Sequence, residues 1–287
     1  MPSRLERYHK TLQYLPGQTE GQESIAVIPQ LSSYLNHGVS MGPASANMAE
    51  SFEQDKTVAI NRVEEFLAKL DMPQLKDSFL MTPKRGSFPR AVTSDDVSKA
   101  FEERGVRQDI ESVTDDSGLF TMEEGVPLLV KPADCPIVLF GTKDRNFAGM
   151  FHAGREELNN LGVIESIEFV KRQFNINPEE LVLGVTPGIG DRNYYVQKAD
   201  EHLVDRDRWG EYAYDGDGKV HLMLNKFIFW QLGEAGLTDW RNIYGYHRDV
   251  DLYELASQEP RLAFSHRFAV STNQPEKNGR MLVAVSL

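Results

Sequence analysis

Two kinds of hydrophobic pattern alternate along this chain. Apolar residues recur at helical spacing, with charged residues on the opposite face, in segments 56–70, 158–174 and 221–235. Short apolar runs bounded by turn residues predict strands near 25–28, 126–130, 137–140, 147–152, 181–185, 262–268 and 280–287. Because helices and strands mix without strict strand–helix–strand alternation, the pattern predicts an α+β fold of packed layers rather than a doubly wound sheet.

Three segments depart from these patterns. Residues 1–25 are polar and weakly patterned, which is typical of a peripheral segment. Residues 37–43 contain several small residues and predict a loop. The charged segment 84–115 predicts an excursion from the core. We therefore expect a peripheral N-terminal segment, 1–30, and a single domain, 31–287.

Composition narrows the class of protein. The 287-residue chain is 40% apolar and 26% charged, as in ordinary soluble domains. Its net charge of −12 argues against nucleic-acid binding, because neutralising phosphates requires clustered Lys and Arg. No stretch approaches the ~18 apolar residues of a membrane span, and the N-terminus lacks the apolar core of a signal peptide. A single cysteine excludes an internal disulfide and favours a reducing, cytoplasmic location.

The best candidate for chemistry is a thiol and an imidazole. Cys135 and His152 both stand at ends of predicted apolar strands, and the turn 141–146 joins those strands as a hairpin. A thiol and an imidazole in contact can bind a metal or form an activated nucleophile. The alternative interpretation makes Cys135 a small buried hydrophobic residue and His152 a buried histidine with satisfied hydrogen bonds.

Short motifs around these two residues occur in a recognisable order over about residues 36–287. They are His37-Gly38-Val39-Ser40, Asn61-Arg62, Ser117-Gly118-Leu119-Phe120-Thr121, Ala133-Asp134-Cys135, His152-Ala153-Gly154, Asn177-Pro178-Glu179, Thr186-Pro187-Gly188-Ile189-Gly190, Tyr194-Tyr195-Val196, Phe264-Ser265-His266-Arg267 and Gly279-Arg280-Met281. No single motif is decisive, but the ordered set resembles the laccase-domain family, also called polyphenol-oxidase-like proteins.

The resemblance implies a four-layer α/β/β/α sandwich and a zinc-dependent purine nucleoside phosphorylase with adenosine deaminase activity. The implied partners are a small nucleoside and phosphate. The implied zinc site has two histidines and one cysteine, with Cys135 and His152 as two ligands and as catalytic residues. Such a site leaves one position open for water or substrate. The same matching makes Arg155, Gly188, Gly190 and Arg267 candidate substrate contacts.

Four departures from the family pattern surround this site. Where the family has the histidine of a Gln-Val-His-Gly motif, segment 79–86 has none, and Arg85 stands in its place. The family's His-Ala-Gly-Trp-Arg-Gly is here His152-Ala153-Gly154-Arg155-Glu156-Glu157. The arginine that usually precedes the motif at 37–40 is missing, and a Cys-Thr pair is replaced around 249–251.

Arg85 is a third candidate catalytic residue with two interpretations. An arginine stays protonated and cannot bind zinc. It could instead pair with Asp134 or a Cys135 thiolate, or bind a phosphate or carboxylate through two hydrogen bonds. Replacement of the missing zinc ligand by His37 or His247 is a separate hypothesis.

Three functions follow as hypotheses. The first is purine nucleoside phosphorolysis or deamination at a modified zinc site. The second is a metal-free hydrolase or deamidase in which His152 activates Cys135, as in cysteine hydrolases of the same broad fold. The third is a binding protein that keeps the site without the chemistry. Copper oxidation of phenols is not favoured, because a multicopper cluster needs His-x-His pairs and the chain contains none.

Overall fold

The computed structural model describes residues 13–14, 25–41, 48, 56–81, 83, 89–104, 116–245, 251–258, 263–275 and 278–287. Arg85 and His247, for which the sequence gives expectations, are not among these residues.

Fifteen strands among the described residues form three sheets. They are β1 (Gln13–Tyr14), β2 (Ile25–Val27), β3 (Asn36–Ser40), β4 (Phe79–Met81), β5 (Pro89–Ala91), β6 (Gly118–Thr121), β7 (Leu128–Val130), β8 (Ile137–Thr142), β9 (Ala148–His152), β10 (Leu181–Val185), β11 (Tyr195–Gln197), β12 (Ala213–Gly216), β13 (Lys219–Leu222), β14 (Ile243–Tyr244) and β15 (Val283–Ser286). The first sheet has the order β1-β2-β3-β15-β7-β4, the second β14-β10-β8-β9-β6-β5, and the third β11-β13-β12.

The α-helices of the described residues are α1 (Lys56–Lys69), α2 (Ser94–Arg104), α3 (Arg155–Asn159), α4 (Gly162–Phe174), α5 (Arg206–Trp209), α6 (Leu224–Glu234), α7 (Leu252–Gln258) and α8 (His266–Thr272). No helix of this set is long and apolar enough to cross a membrane.

Three apolar clusters stack these elements into four layers. Side chains of α1, including Phe66, pack on one face of the first sheet. The other face of that sheet meets the second sheet through residues such as Val283 and Leu139. The outer face of the second sheet is covered by α4 and α6, with Ile167 and Phe227 among the buried residues. The predicted α+β sandwich with layers α/β/β/α is confirmed.

Most predicted elements occur, and four predictions about local structure were wrong. Residues 37–40 belong to β3 rather than a loop, because their buried backbone groups pair with β2 and β15. The strand predicted near 262–268 does not form over the described residues 263–268, because α8 begins at His266 and the Ser265 hydroxyl caps it by accepting from the Phe268 amide. His221 lies in β13, and the helix begins only at Leu224. The helix predicted at 158–174 is interrupted at Leu161, which has a φ of +57°.

His37 is a structural residue of β3. Its Nε2 accepts a hydrogen bond from the Ile28 amide at 2.8 Å, and its Nδ1 lies 3.0 Å from the Leu35 carbonyl oxygen. The ring is 2% exposed, so neither nitrogen is free to bind a metal. The hypothesis that His37 replaces the missing zinc ligand is therefore wrong. Burial lowers the pKa of His37 to about 4, against a smaller opposing effect of the Leu35 carbonyl.

This burial predicts an acid-sensitive fold. The unfolded chain protonates His37 near its ordinary pKa, while the folded chain resists protonation, so stability falls as the pH drops from about 6.5 towards 4. We expect His37 to account for a loss of about 2 kcal/mol in unfolding free energy between pH 7 and pH 5. Denaturant unfolding of His37→Gln at both pH values should give a flatter pH dependence than the parent. The control, His202→Gln at an exposed histidine, should keep the parent's dependence; an equal slope in His37→Gln would contradict the assignment.

Candidate active site

The β8–β9 hairpin brings the thiol and the imidazole together. His152 is the last residue of β9 and pairs with Ile137, the first residue of β8. Cys135 lies two residues before Ile137 in the segment that enters β8, and it is half-buried. The Ala153 amide donates to the Pro136 carbonyl at 3.0 Å. This hydrogen bond extends the pairing of the two strands to the residue that follows Cys135. The two strands thus place Cys135 and His152 at the same end of the second sheet.

Cys135 and Glu157 determine the charge state of His152. The His152 side chain is 15% exposed, and its Nδ1 lies 3.3 Å from Glu157 Oε1. Burial disfavours the imidazolium, but the charge and hydrogen bond of Cys135 and the Glu157 carboxylate outweigh it and raise the pKa of His152 to about 10. Burial likewise opposes ionisation of Glu157, yet the contact with His152 lowers the pKa of this carboxyl. The imidazole therefore sits between a thiol and a carboxylate and is held in its protonated form.

Asp134 holds the segment that carries Cys135. Its carbonyl oxygen accepts from the Ile189 amide at 2.7 Å, and its Oδ2 accepts from the Arg267 amide at 2.8 Å. Burial raises the pKa of Asp134, and hydrogen bonds from Ser265 and Arg267 oppose that shift. Asp134 therefore ties the loop before β8 to the loop after β10 and to the start of α8.

Arginines and a half-buried tyrosine, Tyr194, lie around the thiol. The guanidinium of Arg267 stacks over Tyr195 at 4.7 Å and over Tyr194 at 5.5 Å. Burial raises the pKa of Tyr194, and the Cys135 charge adds to this, while Arg155 and Arg267 oppose it. The Tyr194 hydroxyl is therefore a neutral donor close to Cys135. Arg280 is half-buried and within electrostatic range of Cys135, and burial lowers its pKa.

Arg155 begins α3 directly after the His152-Ala153-Gly154 motif. One of its terminal nitrogens contacts Glu156 Oε1 at 2.5 Å. Its Nε is buried and has no hydrogen-bond partner among the described residues. Arg155 also acts electrostatically on Tyr194 and Glu157, so its guanidinium lies at the same site.

Gly188 and Gly190 belong to a loop that packs against the cysteine segment. Gly188 bridges to Asp251, and its carbonyl accepts from the Leu252 amide at 3.1 Å. Gly190 lies against the Asp251 carboxylate, which also accepts from the Asn193 side chain at 2.6 Å. The structure thus gives the two glycines a packing role and leaves their expected contacts with substrate as a prediction.

Sequence reasoning missed Glu157, Tyr194 as a neighbour of the thiol, and Asp251. Glu157 stands where the family motif His-Ala-Gly-Trp-Arg-Gly has its second glycine, and this mismatch was the available signal. Asp251 falls in the replaced segment near 249–251, but its contact with Gly190 spans 61 residues of sequence and leaves no local pattern.

The described residues do not by themselves make up the zinc site that the resemblance implies. No group of three His, Cys, Asp or Glu side chains that could hold a metal ion occurs among them. Glu157 contacts Nδ1 of His152 instead of joining Cys135 around a shared point, and both nitrogens of His37 are occupied. Cys135 and His152 remain as two potential ligands of the three required.

Comparison with known proteins identifies the family. A family model described as multi-copper polyphenol oxidoreductase laccase matches residues 31–287. This chain belongs to that family. A search of curated proteins gave no match.

Solved structures of similar fold include three bacterial proteins. The hypothetical protein YfiH from Bacillus licheniformis is 22% identical, with a TM-score of 0.71 and coverage of 92% of this chain and 96% of its own. YlmD from Geobacillus stearothermophilus is 23% identical, with a TM-score of 0.73 and the same coverage. A Neisseria meningitidis protein is 17% identical, with a TM-score of 0.63, covering 88% of this chain and 94% of its own. At these identities the likeness establishes the laccase-family fold.

The contact between Gly188 and Pro136 predicts a sensitive position. A Cβ on Gly188 would lie 2.6 Å from Pro136 Cγ and 2.9 Å from its backbone nitrogen, so the segment carrying Cys135 would have to move. We expect Gly188→Ala to lower the unfolding free energy by about 1–3 kcal/mol, as overpacking does. Denaturant unfolding tests this. The control Gly141→Ala, whose Cβ would meet nothing closer than 3.6 Å, should cost less; equal costs would contradict the interpretation.

Proposed function

We propose that this laccase-family chain is a cysteine-dependent enzyme of the hydrolase or deamidase class. The observation that carries the proposal is the contact between His152 and Cys135 at the paired ends of β8 and β9. An imidazole beside a thiol takes its proton and creates a thiolate, which is the nucleophilic form. This function requires no third metal ligand, in agreement with the donor set of the described residues.

The proposed reaction uses Cys135 and His152 in two steps. His152 holds its proton, and Cys135 attacks as the thiolate, so that Sγ forms a bond to the carbon of a substrate C–N group. The C–N bond breaks, and His152 gives its proton to the leaving nitrogen, which departs as an amine or ammonia. Water then attacks the S-acyl intermediate and gives a proton to the neutral His152, and the S–C bond breaks to release the acid and restore the thiolate beside the protonated imidazole. Tyr194 supports the charge on the substrate oxygen as a neutral donor.

The charges around Cys135 favour a small substrate with an anionic group. Arg155, Arg267 and Arg280 all lie within electrostatic range of the site, although the whole chain carries a net charge of −12. Guanidinium groups bind carboxylates and phosphates through paired hydrogen bonds. We therefore propose that Arg155 and Arg267 contact the anionic group, and that phosphate is one such ligand.

A second candidate keeps the family-type chemistry that the sequence suggests: phosphorolysis or deamination of a purine nucleoside with zinc. It is favoured by one observation, namely that the two motif residues expected as ligands, Cys135 and His152, are neighbours in the fold. Zinc bound there would supply a Lewis acid or an activated water. The third ligand would have to come from outside the described residues.

One assay separates the two candidates. Cys135 is the only cysteine, so iodoacetamide reports on it alone by intact mass. In chelator-treated protein at pH 7 we expect rapid alkylation, slowed roughly tenfold or more in His152→Ala, which cannot take the thiol proton. The control His266→Ala, at an exposed histidine, should react like the parent.

Zinc provides the second arm of the assay. If equimolar zinc protects Cys135, and elemental analysis finds about one zinc per chain that is lost in Cys135→Ala and His152→Ala, the nucleoside enzyme is favoured. Phosphate-dependent release of the base from inosine then tests it. Slow alkylation of the parent, unaffected by His152→Ala, would overturn the cysteine mechanism.

A further inference from the structure

We propose that Glu157 is a positioning residue that holds the ring of His152 in the orientation in which it contacts Cys135. In this arrangement the imidazole lies between the thiol and the carboxylate. The proposal rests on the cysteine-dependent function above and extends it to a residue outside the family motif. With Nδ1 turned to the carboxylate, Nε2 is the ring nitrogen left for the thiol.

The contact is short and sheltered from water. Glu157 Oε1 lies 3.3 Å from His152 Nδ1, and the two side chains are 10% and 15% exposed. His152 Nδ1 is buried and has no hydrogen-bond partner among the described residues, so Glu157 Oε1 acts on it as the charge of an ion pair. A charge pair that is shielded from solvent is stronger than a surface pair, and removing one partner leaves the other poorly compensated. Glu157 is therefore the group that determines which way the ring faces.

The local backbone is built to admit this carboxylate. Gly154 is the N-cap of α3, and Glu157 falls in the first turn, directed back towards the end of β9. A Cβ on Gly154 would lie 2.6 Å from Glu157 Oε2 and 2.7 Å from His152 Cε1. Only glycine at this position lets the carboxylate reach the ring without displacement of one of them.

Glu156 provides the internal comparison. It is the preceding residue on the same short helix, and it also carries a carboxylate in the first turn. Its Oε1 lies 2.5 Å from the Arg155 guanidinium, whereas Glu157 Oε1 lies 3.3 Å from His152 Nδ1. Two adjacent acids thus differ in the partner they contact, and the proposal assigns the positioning role to Glu157 alone.

Glu157 is also one of the positions at which this chain departs from the family motif. The family motif places arginine and glycine at the positions of Glu156 and Glu157, and neither of those can accept a hydrogen bond from an imidazole through its side chain. This chain also lacks the motif histidine in segment 79–86. The carboxylate beside His152 is therefore a feature that this chain has where the family motif has a glycine.

The test measures alkylation of Cys135 in the full chain with chelator present, using iodoacetamide at pH 7. The thiolate forms an S–C bond and iodide leaves, so the rate reports the reactivity of the thiol. We expect Glu157→Gln to slow the reaction roughly tenfold, in line with the loss of a partner that orients a histidine. Glu157→Asp should recover most of the rate, because it restores the carboxylate. Glu156→Gln should react like the parent.

Gly154→Ala is a second, independent variant. Its added methyl group displaces the carboxylate or the ring, so we expect a slowing similar to that of Glu157→Gln. Thermal unfolding of each variant shows whether the fold persists. A purely structural role for Glu157 would lower the melting temperature and leave the alkylation rate unchanged or raise it through exposure of the thiol.

The outcomes distinguish the two proposals. A parent that reacts quickly, a slow His152→Ala and a Glu157→Gln variant at the parent's rate would overturn the positioning role and leave the cysteine mechanism standing. A parent that reacts slowly and does not respond to His152→Ala would overturn both. We expect slower alkylation in Glu157→Gln and in Gly154→Ala. We expect Glu157→Asp to recover most of the parent's rate, and Glu156→Gln to react at the parent's rate.

Discussion

The pairing of β8 with β9 is the constraint on which the rest of the site depends. Both strands lie at the centre of the second sheet, buried on one face by the first sheet and on the other by α4 and α6. A shift of one residue in this register would turn His152 to the opposite face of the sheet, and the buried strand residues would lose their packing. The hydrophobic core therefore fixes the register, and the register fixes the separation of the thiol and the imidazole.

The chemistry follows from the burial that this packing produces. Charges interact more strongly when water is excluded, so Cys135 and Glu157 together overcome the burial of His152 and hold the imidazole protonated. Arg155 and Arg267 approach the same end of the sheet and place guanidinium groups within electrostatic range of the site in an otherwise acidic protein. A site of this kind suits a nucleophile that develops negative charge and a substrate that already carries it.

Patterns of hydrophobicity could predict the layers but not every element. The strands around residues 126–130 and 137–140 are buried on both faces and read as continuous apolar runs. By contrast, β3 contains Asn36, His37 and Gly38, and its strand conformation comes from its neighbours β2 and β15 rather than from its own propensity. The helix α8 is likewise set by its Ser265 cap, within a segment that resembles a short strand.

The motifs could place Cys135 and His152 at one site, since each belongs to a strand end. Glu157 could not be placed in the same way, because its contact depends on the path that Gly154 opens at the start of α3. Asp251 depends on a loop contact between distant parts of the chain. The expectations about Arg85 and His247 concern residues outside the described part of the chain and stay predictions.

The most direct measurement is a crystal structure of protein purified without chelator, with anomalous data collected at the zinc edge. The account predicts no anomalous peak between Cys135 and His152, with the Glu157 carboxylate on Nδ1 of the ring and the Cys135 sulfur on Nε2. A zinc peak bound by Cys135 and His152, with a third ligand from residues 82–88 or 246–250, would contradict it.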